Sequence, residues 1–481
     1  MTLTPAQLDR ACGAVLGSAV GDALGAPYEF DRAAIGSDGP QMIGGGLGPF
    51  APGEWTDDTT MAWGILDVAA RGLDLRSEEG LTAIAQNFRD WVDSGVKDIG
   101  TQTSGVLSRG GASPTGARLT EISRDFARNN SHSAGNGSLM RTAAVALPYL
   151  SDPLAVVDAA RHVSTLTHAD PRAQEACVLW SLAIRRAIVD GELDLRGGLA
   201  FLDGDAVAYW TERIDEAEQS DPNVFTPNGW VVSALQAAWS AIVHTPPPAD
   251  GPCRQFGTAL DRAIRIGNDT DTVAAIAGAL LGARWGASAI PAQWRRILHG
   301  YPGLTGEQLV GLAHVATDGA PGKYGWPMVA RIDYADQAPG ILVRHPYDDG
   351  VWLGDALALD ALPAGVSAVV SLCLVGSSQV PTGVEHVPFR LIDEASPTVN
   401  PNLDFVLADA AATVAALRDE GHGVLVHCVA AQSRTPAVAI AYALQRGVAL
   451  ADADTAVRRV VRGPGPNAGF VAALARLASA T

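Results

Sequence analysis

The sequence predicts two domains of different class, an all-helical first domain and a smaller α/β second domain. Two observations predict this. Through about residue 315 the apolar residues recur at helical spacing and strand runs are scarce, as in "LTAIAQNFRDWVDSG", "PRAQEACVLWSLAIRRAIVDG" and "VVSALQAAWSAIVH". After the Gly/Pro-rich "ATDGAPGKYGWP", short β-branched runs ("GILVRH", "SAVVSLCLVG", "EHVPFRLID", "GVLVHC") alternate with helical patterns. The expected organisation is a first domain over 1–320, a linker over 321–337 and a second domain over 338–481.

Composition supports packed domains and narrows the partners. With 47% hydrophobic and 18% charged residues, a chain of 481 residues has ample material for two cores. A formal charge of −18 disfavours nucleic acid and anionic membrane as partners, while leaving room for a locally positive site. Cys12, Cys177, Cys253, Cys373 and Cys428 are widely spread, with no C-x-x-C pair, so neither a disulfide framework nor a thiolate zinc site is expected. "ACGAVLGSAVGDALGA" is broken by Asp22 and lacks a basic leader, and no run reaches the roughly 18 to 20 apolar residues of a membrane helix. The expectation is a cytoplasmic protein with no membrane association.

The first helical pattern carries Gly13, Gly17, Gly21 and Gly25, four apart, which bares one helix face. Glycine weakens a helix, so such a stripe needs a close neighbour. A similar spacing returns at Gly278, Gly282 and Gly286.

Two acidic clusters echo each other, "WTDDTT" (55–60) and "GNDTDTVAAIAGALLG" (267–282), each just before an apolar helix. One reading is helix capping, since Asp and Thr are good N-caps and anions suit a helix N-terminus. Yet one cap needs one such residue. The other reading is hard oxygen ligands for magnesium, manganese or calcium, converging on a two-metal centre.

The flanking motifs carry a resemblance. "GAVLGSAVGDALGAPYEF", "EWTDDTTMAWGIL", "DIGTQTSGVLSRG", "SAGNGSLMRTAAVALP", "STLTHAD" and "IGNDTDTVAAIAGALLGARWG" follow the order and rough spacing of the ADP-ribosylglycohydrolase family. The chain resembles that family, which includes the activating glycohydrolase of dinitrogenase reductase, over about residues 9 to 315. The resemblance implies an all-helical fold, two Mg2+ or Mn2+ ions and hydrolysis of the bond between ADP-ribose and an acceptor. An ADP-ribosylated protein or an ADP-ribose derivative would be the partner.

Residue by residue, it implies Thr56, Asp57, Asp58, Asp269, Asp271 and Thr272 as metal ligands. Glu29, in "PYEF", matches a glutamate close to the metals, and Asp98 and Gly100, in "DIG", match residues at the ribose. Gly135, Asn136, Gly137 and Ser138, with His168, match the parts that hold the ADP-ribose. Asp98 and Glu29 are the candidates for a base or for stabilising oxocarbenium charge. His168 can equally be structural, and Arg141 either meets a ligand phosphate or forms an ion pair.

In the second domain, "GVLVHCVAAQSRTPAVAIAYAL" (423–444) reads as a strand ending at His427-Cys428, a loop, and a helix opened by Arg434 and Thr435. A C-x5-R loop of this kind gathers backbone N–H groups and a helix N-terminus around a phosphate, and that field favours the thiolate. Arg434 supplies a bidentate fork, and Thr435 can donate to the sulfur when it leaves. The other reading is a buried cysteine at a strand end.

Over about residues 338 to 479 the chain resembles dual-specificity and related tyrosine phosphatases. The resemblance implies a cysteine-phosphatase fold with no cofactor and a phosphorylated substrate. It puts Cys428 as nucleophile, Arg434 on the phosphate and Asp393 as general acid, with Asp404 second to it. "RGPGPNAGFVAAL" resembles the family's late helix start. One departure stands out: Ala431 replaces the glycine usual three residues after the cysteine, which strains the loop if that position needs positive φ. The expected protein is a bifunctional hydrolase. The alternatives are a glycohydrolase whose second domain only binds phosphate, and a sensor that binds ADP-ribose without turnover.

Overall fold

The computed structural model describes residues 2–318 and 321–480 and divides into two compact units. One runs to Ile290 and resumes at Ile297; the other takes Pro291–Arg296 and everything described from Pro321 onward.

The first unit is helical. It opens with α1 (Pro5–Gly25), α2 (Asp57–Ala70), α3 (Glu78–Asp93), α4 (Thr101–Gly110) and α5 (Gly116–Asn129). It continues with α6 (Pro153–Thr165), α7 (Pro171–Asp190), α8 (Gly204–Gln219), α9 (Val231–Val243), α10 (Gln255–Ile264) and α11 (Thr270–Trp285). The short α12 (Ala292–Arg295) belongs to the second unit, and α13 (Gly306–Asp318) is the last helix of the first. A small antiparallel pair, β1 (His299–Gly300) and β2 (Leu304–Thr305), adds the strands that the helical pattern does not announce.

The two glycine stripes are partners. A Cβ on Gly282 would lie 1.9 Å from Gly13 O, and one on Gly21 would lie 2.0 Å from Ala274 O. Backbone therefore meets backbone along α1 and α11, and both helices are buried almost all round. Thr4 starts α1 with a capping box to Gln7 at 3.2 and 2.9 Å. This central pair fixes where Asp22, near the end of α1, lies relative to Asp271 at the start of α11.

The second unit is a five-stranded sheet of β3 (Leu342–His345), β4 (Asp348–Gly354), β5 (Val366–Ser371), β6 (Glu385–Pro388) and β7 (Gly423–His427). Its order is β3-β4-β7-β5-β6; β3 and β4 pair antiparallel and the other neighbours parallel. Four longer helices accompany it: α14 (Leu403–Asp419), α15 (Arg434–Gln445), α16 (Leu450–Val461) and α17 (Ala468–Ala480). Val424 and Val426 of β7 pack with Leu407, Ala437 and Ile440 on one face, and Leu425 packs with Val369 and Leu359 on the other. Covered on both faces, β7 delivers Cys428 at its carboxyl end, where ligands bind in open parallel sheets.

Residues 321–337, expected as a linker, pack on this second unit. Ser377 and Ser378 N–H donate to Val329 O and Ala330 O, and Gln379 bonds Ile332 in both directions, at 2.9 to 3.2 Å. Tyr334 and Ile332 are each 4% exposed. Among the described residues no helix is long and apolar enough to cross a membrane.

Candidate active sites

In the first unit, helix capping does not explain the acidic clusters. Thr56 stands at the N-cap of α2 with no side-chain cap bond. The cap comes from Asp22 on α1, whose carboxylate accepts the Thr56 N–H at 3.0 and 3.1 Å, the Thr59 N–H at 3.0 Å and the Thr59 hydroxyl at 2.6 Å. Asp269 likewise precedes α11 with no side-chain cap bond. Its N–H donates to Asn228 Oδ1 at 3.0 Å, and its Oδ2 accepts from Asn136 Nδ2 at 2.7 Å. The end of α2 is thus satisfied from α1, whereas at α11 the cluster's own Asp271 Oδ1 accepts the Thr272 N–H at 2.9 Å; Asp57, Asp58, Asp269 and Asp271 still lie close enough to repel one another.

The carboxylate oxygens of Glu29, Asp269 and Asp271 lie within 4.8 Å of one another. Thr56 and Thr272 hydroxyls approach Asp58 Oδ2 at 3.4 and 3.3 Å, while Asp58 Oδ1 is buried with no hydrogen-bond partner. Burial first, and repulsion from Asp269, Asp98, Asp57 and Asp22 second, push Glu29 up to about 9. The same two causes push Asp57 up to about 8 and Asp58 and Asp271 well above the usual carboxylate range. Burial raises Asp269 as well, and it lifts Asp22 to about 6 against four hydrogen bonds that lower it. These acids cannot all ionise in so small a space unless a cation joins them. An orphaned buried oxygen, three converged carboxylates and two hydroxyls form a hard-oxygen donor set of the kind divalent cations take.

Asp98 is half-buried, with Oδ1 accepting the Ile99 N–H at 2.8 Å, and Gly100 is exposed just before α4. Glu29 precedes two non-glycine residues in the left-handed region, Phe30 (φ 45) and Asp31 (φ 60), held by Phe30 N–H on Asn268 O at 2.8 Å. Asn136 ties the Gly135–Ser138 loop to Asp269. Gly135 and Gly137 make room for the ring of His168, because a Cβ there would lie 3.4 and 3.1 Å from it.

Ser138 of this loop and the His168 beneath it both face inward. Ser138 is buried, accepting from Ser164 Oγ at 3.0 Å and from Cys177 Sγ at 3.4 Å. His168 is 2% exposed beside the Thr167 hydroxyl at 2.8 Å, and burial brings it down to about 3, so it is neutral. Arg141 makes neither contact expected of it. It is fully buried, donates to Val163 O at 3.0 Å and lies over the Phe88 ring.

In the second unit, Cys428 is 1% exposed at the end of β7. Arg434 opens α15, and its Nη1 donates to Leu372 O at 2.7 Å and Leu391 O at 3.2 Å. Its buried Nε lacks a hydrogen-bond partner and stands 3.8 Å from Asp393 Oδ2. Thr435 is buried and reaches Gly354 O at 3.4 Å. Ala431 takes φ 54, the left-handed value that its glycine-replacing position raised as a question. Asp404 pairs with Arg476 at 2.6 Å, so its carboxylate is engaged.

Three residues escaped the sequence reading. Asp22 sits inside a helix where nothing marks it as a cap for another chain segment. Asn228 bonds Asp269, Asn136 and Gly267 in one place. Asn467 N–H donates to Ser433 Oγ at 3.2 Å while its Nδ2 donates to Asp393 Oδ1 at 2.9 Å, joining the cysteine loop to the expected acid. Asn467 had a signal, since it lies in the late helix start already noted.

A family model described as ADP-ribosylglycohydrolase matches residues 3–323. ADP-ribosylarginine hydrolase Tri1 of Pseudomonas putida (strain GB-1) is 31% identical over 302 residues, 61% of this chain and 75% of that protein. ADP-ribosyl-(dinitrogen reductase) glycohydrolase of Rhodospirillum rubrum is 28% identical, covering 60% of this chain and 90% of its own length. A solved ADP-ribosylglycohydrolase-related protein complex is 27% identical over 65% of this chain and 98% of that one, with a TM-score of 0.49. The structure of human DUSP28 is 30% identical over 30% of this chain and 96% of its own, with a TM-score of 0.26.

Proposed function

The chain belongs to the ADP-ribosylglycohydrolase family, and from that premise we propose that its first unit is a divalent-cation-dependent hydrolase of the bond between ADP-ribose and an arginine side chain. The observation that carries the metal is the convergence of Glu29, Asp269 and Asp271 beside the unpartnered Asp58 Oδ1. Thr56, Asp57, Asp58, Asp269, Asp271 and Thr272 would hold two Mg2+ or Mn2+ ions, which supply Lewis acidity and neutralise the carboxylates. Arginine as the acceptor rests on the relative that acts on ADP-ribosylarginine.

The chain's own groups do the rest. The Gly135–Gly137 backbone, steadied by His168 beneath it, approaches the pyrophosphate, and Gly100 lies at the ribose. Asp98 takes a proton from the attacking water, whose oxygen bonds to the anomeric carbon as the bond to the guanidine nitrogen breaks. Glu29 faces the positive charge that develops on the ribose, and the proton that Asp98 took passes to the guanidine nitrogen as it leaves.

The test is release of ADP-ribose from arginine- and serine-modified proteins with Mg2+, Mn2+ or EDTA. Metal-dependent release from arginine, lost in Asp57→Ala/Asp58→Ala, is expected; release that survives EDTA would sink the reading.

For the second unit the reading is a cysteine-dependent phosphatase, supported by the joined Cys428 loop, Arg434, Asp393 and Asn467. Cys428 sulfur attacks phosphorus, and the leaving oxygen takes its proton from Asp393. Water then hydrolyses the phosphocysteine. Turnover of an aryl phosphate should vanish in Cys428→Ser; a binding module would show no turnover to lose.

A further inference from the structure

Pro291–Arg296 is a short stretch whose chain neighbours on both sides belong to the first unit, yet it packs in the second. Ala292 is fully buried in one core with Val387, Phe389, Leu391 and Leu407. Its N–H donates to the Asp409 carboxylate of α14 at 2.9 and 3.3 Å. The two arginines that follow both bind β6. Arg296 Nε donates to Glu385 Oε1 at 2.7 Å where the strand begins, and Arg295 Nη1 donates to Pro388 O at 2.9 Å where it ends. The Arg295 guanidinium also lies 4.9 Å from the Phe389 ring centroid, with Nη2 3.7 Å from Asp409 Oδ2. β6 has a sheet neighbour on one side only, and a bare edge of this kind needs a cover.

The run that leaves β6 carries the expected acid. Phe389 N–H donates to Ser371 O at 2.8 Å, and Leu391 O accepts from Arg434 Nη1. Ile392 N–H donates to Asn400 Oδ1 at 2.9 Å, and Ile392 O accepts from Asn400 Nδ2 at 2.8 Å. Asp393 comes next, its Oδ1 held by Asn467. Phe389 and Leu391 are both buried. A run pinned so often has little slack, so a shift at its first pin carries through to its last residue. Arg295 supplies that first pin, on Pro388 and Phe389.

We propose that Arg295 is a positioning residue for Asp393, fixing where β6 ends and hence where the acid meets the leaving oxygen. The proposal rests on the cysteine-phosphatase reading of this unit. In that reaction Asp393 gives its proton to the leaving oxygen as the oxygen–phosphorus bond breaks and the bond from Cys428 sulfur to phosphorus forms. A general acid in place contributes about 100-fold to 10,000-fold, and a misplacement of about 1 Å can cost about 100-fold. The need for it follows the basicity of the leaving oxygen. Phosphotyrosine leaves as a phenol of pKa about 10 and needs the proton. Dinitrophenyl phosphate releases a far weaker base, which departs unaided.

The experiment measures kcat and KM of the full-length protein on phosphotyrosine and on dinitrophenyl phosphate, for the unaltered chain, Arg295→Met and Arg295→Gln. In Arg295→Met, kcat on phosphotyrosine should fall about tenfold or more, with KM and the dinitrophenyl phosphate rate unchanged. Arg295→Gln keeps a shorter donor, so its loss should be smaller but equally selective, and it carries the test alone if the Met variant does not fold. Equal losses on the two substrates in a folded variant, or no loss on either, would overturn the positioning role. An unaltered protein that turns over neither substrate would remove the phosphatase reading and the proposal with it.

Discussion

Ala431 carries the sharpest residue-scale consequence. At φ 54 its Cβ crowds the backbone by roughly 1 to 2 kcal/mol, a cost glycine does not have. Glycine gives part of that back through a looser unfolded chain, roughly 0.4 to 1 kcal/mol. Ala431→Gly should therefore stabilise the second unit by up to about 1 kcal/mol in urea unfolding; a loss of stability would show that the methyl packs better than the backbone is strained. Asp22 gives the opposite case. Removing it in Asp22→Ala strands two N–H groups and a buried hydroxyl, at roughly 2 to 4 kcal/mol. Thermal unfolding of the variant measures this, and a change under 1 kcal/mol would mean that another group caps α2. The two residues differ in legibility for a physical reason. Ala431 departs from a pattern of adjacent residues, whereas Asp22 acts on a segment more than thirty residues away, which no local window contains.

At the scale of elements, the pairing of α1 with α11 positions the acidic site, and Gly282 tests it. Alanine improves helix propensity by about 1 kcal/mol over glycine. Its Cβ would nevertheless fall 1.9 Å from Gly13 O, so the helices must separate or shift. Overpacking of this kind costs about 1 to 3 kcal/mol or more, so packing wins over propensity. Gly282→Ala should lower the melting temperature and weaken Mn2+ binding in an EPR titration, because Asp22 and Asp271 ride on the two helices. A higher melting temperature would refute the close packing. Both glycine stripes were readable in the sequence, but their partnership was not, since periodicity describes one helix at a time. The 321–337 segment failed in another way. Its Gly and Pro content reads as a linker, yet Tyr324, Trp326, Ile332 and Tyr334 supply enough apolar surface to seat it. The acidic clusters were legible as chemistry, and only the geometry showed that α2 takes its cap from the distant Asp22, which leaves Asp57 and Asp58 without that role.

For the whole molecule, the chemistries proposed for the two units have separate requirements, and the first confines carboxylates whose repulsion pH relieves and a bound cation would relieve. Without metal, Glu29 and Asp57 hold protons in the folded state to about 9 and about 8, far above an unfolded carboxylate near 4. The folded state then binds more protons than the unfolded one between those limits. Stability contributed by these protons is full below the unfolded value and is lost as pH rises through the folded values. The EDTA-stripped protein should therefore lose stability steadily from about pH 5 to pH 9 in calorimetry. On the proposed reading Mg2+ or Mn2+ would replace the protons, so the loss should flatten when metal is present. At a metal concentration a hundredfold above Kd the gain is about 2.7 kcal/mol. Asp58→Asn separates the causes: removing one buried charge should raise the metal-free melting temperature at pH 8 while erasing most of the metal's effect. Any turnover of aryl phosphate by the second unit should be indifferent to EDTA throughout and abolished by Cys428→Ser. A metal-free protein equally stable at pH 5 and pH 9 would mean that the carboxylates do not share a confined space, and the two-ion site would fall with them.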